Sequence, residues 1–157
     1  MLSLSRKTDY ALVALAYLAE SGLGAGPLSS RHIAQAVGLP EPVTQAVLKA
    51  LASAGLVDST RGASGGYELG RSAGQITVLD VVHVIEGPVA TAVCCCDEGL
   101  PILDQDCPLA GRCQINPGIH NLHRRLTAVL EQTTLADLLY PAAEDQPQRT
   151  SSIAQVH

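Results

Sequence analysis

All five cysteines of the chain, Cys94, Cys95, Cys96, Cys107 and Cys113, fall in one stretch, "AVCCCDEGLPILDQDCPLAGRC". Thiolates are ligands for zinc, copper(I) and iron–sulfur clusters, and an odd number of thiols cannot pair completely within one chain. Structural zinc sites usually present C-x2–4-C pairs. Neither the adjacent triplet nor Cys107 with Cys113, which have five residues between them, offers one, so zinc is the weaker of the metal alternatives. Three neighbouring thiols do not all converge on one centre, and one or two of the triplet are expected to act with Cys107 and Cys113.

A second set of residues is suited to reading nucleic acid. Thr44, Gln45 and Lys49 fall on one predicted helix, and Arg61 sits at the tip of a predicted hairpin rich in glycine. Gln bonds an adenine edge at two points, Lys reaches guanine or phosphate, and Thr bonds a base edge or packs on a thymine methyl. Arg61 is placed to enter a minor groove or hold phosphate. Arg6 and Lys7, ahead of the first helix, are further phosphate candidates. The net charge of −5 hides an asymmetry that agrees with this placement. Up to residue 72, Arg6, Lys7, Arg31, Lys49, Arg61 and Arg71 nearly balance Asp9, Glu20, Glu41, Asp58 and Glu68, whereas the rest of the chain is strongly acidic.

These residues need elements to position them. "TDYALVALAYLA" carries Leu12, Leu15 and Leu18 at helical spacing and is broken by Gly22 to Pro27. Ser29 or Ser30 caps a short second helix that stops at Gly38. A third helix begins around Pro40 and Pro42, and its inward stripe is read as Val43, Ala46, Val47, Ala50 and Leu51, leaving Thr44, Gln45, Leu48 and Lys49 outside. "LVDSTRGASGGYELG" reads as two short strands about a turn from Gly62 to Gly66. Three helices and a hairpin make a winged helix-turn-helix, whose third helix enters the major groove. Thr77 caps a fourth helix.

Beyond the cysteines, Asn116 and Pro117 open a long fifth helix with the apolar stripe Ile119, Leu122, Leu126, Val129 and Leu130. A stripe outside the main core needs a partner, and the same helix of a second copy is the economical one. "TTLADLL" reads as a short closing helix. The fold expected is mainly α: a winged helix-turn-helix domain over residues 1–90, a cysteine-rich loop over 91–115, a dimerisation helix and closing helix over 116–140, and a polar, disordered tail over 141–157.

The chain resembles the Rrf-type winged-helix transcriptional regulators, the group of IscR and NsrR. The resemblance covers about residues 1–140 and rests on "LSRKTDYALVALAYLA", "VLKALASAGLVDSTRGASGGYELG", "VVHVIEGPVA", the spacing of Cys107 and Cys113, and "LADLL". Its wording is closest to regulators of SUF-type iron–sulfur assembly operons. The resemblance implies a homodimer with an iron–sulfur cluster in each cysteine loop, two-iron ahead of four-iron, held by three thiolates and one other ligand. Cys94, Cys107 and Cys113 fall on the three thiolate positions, with Cys95 and Cys96 as rivals for the first. Asp9 matches the place of a fourth ligand given by the partner subunit. His120 and His123 are alternatives, and Asn116 stands where some members carry a histidine.

The function expected is therefore that of a cluster-sensing, DNA-binding transcriptional regulator, a repressor of iron–sulfur assembly genes, acting on a double-stranded operator. The alternatives are a nitric-oxide or redox-sensing cluster repressor of other genes, and a zinc or thiol-switch factor. No Ser-His-Asp order, phosphate loop or paired-carboxylate arrangement is readable, which argues against an enzyme. A soluble, cytoplasmic protein is expected, since Asp9 and Tyr10 interrupt any N-terminal apolar run and no span of about 18 apolar residues occurs.

Overall fold

The computed structural model describes residues 4–21, 26–62, 65–92, 95–96 and 112–141, with the backbone alone for Cys95 and Cys96. Helix α1 (Arg6–Ser21) buries Thr8, Ala11, Ala14, Leu15 and Leu18 along one face. Helix α2 (Ser30–Val37) opens on Ser29, whose hydroxyl accepts the backbone N–H of His32, and closes on Gly38 at φ 70°. That left-handed residue suits glycine, which has no side chain to clash there. Helix α3 (Glu41–Ser53) begins behind Pro40 and ends at Ala54–Gly55.

Strands β1 (Val57–Thr60) and β2 (Gly66–Leu69) form the expected antiparallel hairpin, with Val57 opposite Leu69 and Thr60 opposite Gly66. A feature absent from the sequence reading ties the hairpin down. Leu28, just before α2, exchanges two backbone hydrogen bonds with Tyr67, at 2.9 and 2.8 Å. The approach is so close that a β-carbon on Gly66 would lie 2.5 Å from the Leu28 carbonyl. A single 3-10 turn (Ala73–Gln75) leads into helix α4 (Val78–Glu86). Thr77 and Asp80 form a reciprocal capping box at its start, the arrangement that satisfies two otherwise orphaned N–H donors.

Strands β3 (Ala90–Ala92) and β4 (Cys95–Cys96) then pair antiparallel, Ala90 with Cys96 and Ala92 with Cys95. Part of the segment expected to be loop is thus a short hairpin. Helix α5 (Asn116–Gln132) takes Ile115 in the capping position, one residue earlier than expected, with no side-chain cap bond. Helix α6 (Leu135–Leu139) has its own capping box from Thr134 and Asp137.

The core gathers Ala11, Ala14, Leu15 and Leu18 of α1, Ile33 of α2, Val47, Leu48 and Leu51 of α3, Leu56, Val57, Ile76 and Val81. Leu135 of α6 belongs to the same core. Thr77 bridges Thr134, and the Leu135 N–H reaches the Ile76 carbonyl at 2.8 Å. The closing helix, grouped with the dimerisation helix in the sequence reading, packs into the core of the winged domain. Among the described residues no helix is long and apolar enough to cross a membrane.

Candidate nucleic-acid interface and cysteine segment

The outward face of α3 differs from the one read in the sequence. Thr44 is 1% exposed, and its hydroxyl donates to the Pro40 carbonyl at 3.1 Å, so it is not available to a base. Leu48, also expected outside, is fully buried, while Ala46, expected in the core, is exposed. The inward row is Thr44, Val47, Leu48 and Leu51, an i, i+3, i+4, i+7 set. Both rows satisfy helical spacing. The structure selects the one that buries two leucines, because a leucine contributes far more on burial than an alanine.

Gln45 and Lys49 remain exposed, as expected, together with Glu41, Pro42, Ala46 and Ser53. Arg61 is exposed where β1 runs out into the turn, and Ser59 and Thr60 are exposed beside it. Arg6 and Lys7 are exposed in the first turn of α1. Tyr17 on α1 and His32 on α2 share a 3.1 Å hydrogen bond, which fixes the two helices that back α3.

Of the candidate metal ligands, Cys94 and Cys107 lie outside the described residues. Cys113 is a free, half-buried thiol, and its carbonyl accepts the Asn116 N–H at 3.4 Å where α5 begins. Asp9 is exposed in the first turn of α1. His123 is buried at 7% exposure and His120 half-buried on α5. Among the described residues no three His, Cys, Asp or Glu side chains come together as a metal site. The donor at hand does suit soft iron chemistry: Cys113 is unpaired, reachable and set on a helix start.

Sequence reasoning missed a link between the two regions. The carboxylate of Glu86, at the end of α4, accepts the Ser5 backbone N–H at 2.8 Å and the hydroxyl of the fully buried Thr8. Those bonds, that of Thr8 foremost, hold the Glu86 carboxyl below its ordinary range. The helix bearing Arg6, Lys7 and Asp9 is thereby fastened to the residue that precedes Gly87 and β3. Only the distance in sequence hid it, since nothing local relates position 86 to position 8.

Helix α5 lies against α4 and the β3–β4 hairpin. Within one chain its stripe is incompletely covered: Leu122 is 47% and Val129 60% exposed. Leu126, Val129 and Leu130 face Leu4, Val82 and Val89 across a groove of about 540 Å³.

The family model described as "Rrf2: Iron-dependent Transcriptional regulator" matches residues 4–141. The HTH-type transcriptional repressor NsrR of Streptomyces coelicolor is 31% identical over 136 residues, covering 87% of each chain. Among solved structures, CymR, the global cysteine regulator of B. subtilis, superposes with a TM-score of 0.65 at 36% identity, over 88% of this chain and 97% of that one. The T. potens IscR structure gives 0.64 at 31% identity, over 99% and 94%. These relatives are transcriptional regulators and not enzymes, and with a winged-helix core and a family match over nearly all its described length, the chain belongs to the Rrf2 family of transcriptional regulators.

Proposed function

We propose that the protein is a homodimeric repressor of iron–sulfur assembly genes that senses an iron–sulfur cluster and binds a double-stranded operator in the cytoplasm. The observation that carries this reading is the gathering of every thiol into one segment between the winged domain and α5, in a chain whose family is described as iron-dependent. Cys113, with Cys94 and Cys107, would hold the cluster, and Asp9 of the partner subunit would be its fourth ligand. When bound, the cluster supplies a redox- and iron-responsive tie, preferably of two-iron type. The chain's own part is mechanical. Glu86 hydrogen-bonds the start of α1, so the cysteine segment and the phosphate candidates Arg6 and Lys7 share one anchor.

Binding to DNA falls to Gln45 and Lys49 on α3 and to Arg61 on the wing. The second copy covers the Leu122 and Val129 stripe of α5, which is too apolar for a free surface. Operator half-sites lie about 34–36 Å apart, so a small change in dimer geometry alters affinity strongly.

The test is the visible spectrum, iron and sulfide content of anaerobically purified protein, with operator binding measured before and after chelation. Brown protein whose affinity changes on iron removal, and a Cys107→Ala variant that stays dimeric but loses that change, support the reading. Colourless, iron-free protein that binds the operator equally under all conditions overturns it. A zinc content or a response to oxidant alone points to the zinc or thiol-switch alternatives.

A further inference from the structure

Burial of Thr44 and Leu48 turns α3 so that Pro42 and Ala46, and not the Thr44 hydroxyl, lie on the outward face of its first two turns. With 3.6 residues per turn, Pro42, Ala46, Lys49 and Ser53 stand opposite the buried row of Thr44, Val47, Leu48 and Leu51. Gln45 flanks this row on one side. All of these outward residues are exposed, and Pro42 and Ala46 fall in the first two turns, the part of a recognition helix that meets base edges.

We infer that Ala46 is a specificity-determining residue that reads the C5 methyl group of a thymine in the major groove, with Pro42 one turn earlier extending the same apolar contact. The physical argument has three parts. A methyl side chain cannot hydrogen-bond any base edge, so a polar edge placed against it loses its water without a replacement partner. Thymine alone among the four bases offers an apolar group in that groove. The neighbouring Gln45 is suited to adenine, so the pair of residues selects an A·T-containing element of each half-site.

The inference rests on the DNA-binding reading of α3, and one experiment separates the two. Duplexes bound by the full-length chain are selected from a randomised library, and each thymine in the selected half-site is replaced singly by deoxyuridine, which removes only the methyl. At one thymine position the wild-type chain loses about fourfold in affinity for each half-site altered, the worth of one methyl returned to water. Ala46→Gly binds the thymine and deoxyuridine duplexes alike at that position, and Ala46→Ser shows the same loss of discrimination. Comparing two duplexes on one protein cancels any effect of glycine on helix stability. If Ala46→Gly keeps the wild-type discrimination at every thymine, or the wild type never distinguishes thymine from deoxyuridine while still binding its selected duplex, Ala46 has no such role. If the wild-type chain selects no duplex, the DNA-binding reading falls and the inference falls with it.

Discussion

The hydroxyl of Thr8, wholly buried in the first turn of α1, donates to Oε1 of Glu86, the last residue of α4, across 78 residues of sequence. The same oxygen takes the Ser5 backbone N–H, while the Ser5 hydroxyl caps the helix by accepting the Thr8 backbone N–H at 3.4 Å, so Glu86 reinforces a serine cap from across the fold. Negative charge there also suits the positive end of the α1 dipole.

Glu86→Ala leaves a buried hydroxyl without its acceptor and is expected to lower stability by about 1–3 kcal/mol, read by urea unfolding. Glu86→Gln keeps an accepting oxygen and loses less. The pH dependence has a definite sign. Because the folded carboxyl titrates below its ordinary value of 4.5, its contribution is present above that value and disappears as pH falls through the lower, folded one. The stability gap between wild type and Glu86→Gln should therefore close as pH drops below 4.5. Asp137, lowered by the Thr134 hydroxyl, acts in the same direction in both proteins and cancels in the comparison.

Thr44 and Gln45 are neighbours in sequence with opposite fates. Thr44→Val removes only the bond to the Pro40 carbonyl, at a cost of about 0.5–1.5 kcal/mol of stability, and leaves the operator preference unchanged. Gln45→Ala should keep stability and weaken binding to the preferred site by about 1–3 kcal/mol. Parallel unfolding and fluorescence-anisotropy titrations separate the two effects. A changed preference in Thr44→Val would restore Thr44 to the interface.

Gly66→Ala tests the seam that holds the wing. Its β-carbon would meet the Leu28 backbone at 2.5 Å, and backbone cannot step aside as a flexible side chain can. A loss of about 1–3 kcal/mol is expected, typical of overpacking, with weaker operator binding because the hairpin bearing Arg61 is displaced. Hydrogen exchange at the Leu28 and Tyr67 amides reports the seam directly, and unchanged protection there would contradict the argument.

Leu135→Ala should cost about 2–5 kcal/mol, since this residue is 2% exposed inside the core of the winged domain. A single cooperative unfolding transition, shifted as a whole, is the expected result. A variant that loses α6 but leaves the remaining transition in place would show that the closing helix is an appendage.

Much of this molecule was legible before folding. Capping serines and threonines, the Gly38 and Gly55 stops, and the alternation on either side of the turn marked three helices, a hairpin and a fourth helix, because those signals act over a few residues. The family resemblance agreed with the match over residues 4–141. Less legible was the facing of α3, where two interleaved stripes both had helical spacing and only the volume of the opposing core could choose between them. The β3–β4 pair was hidden for another reason: its strands are two or three residues long, too short for a period to show.

The order of residues by itself determined which segments become helix or hairpin, where they stop, and that every thiol falls between the winged domain and α5. Those outcomes depend on backbone preferences and on spacing along the chain. Only the tertiary structure decided that Thr44 turns inward, that Ala46 turns outward, that Leu135 returns to the first core and that Glu86 holds the start of α1. Each of these joins groups far apart in sequence or competing for one space, and such contests are settled by close packing and by the need of buried polar groups for partners.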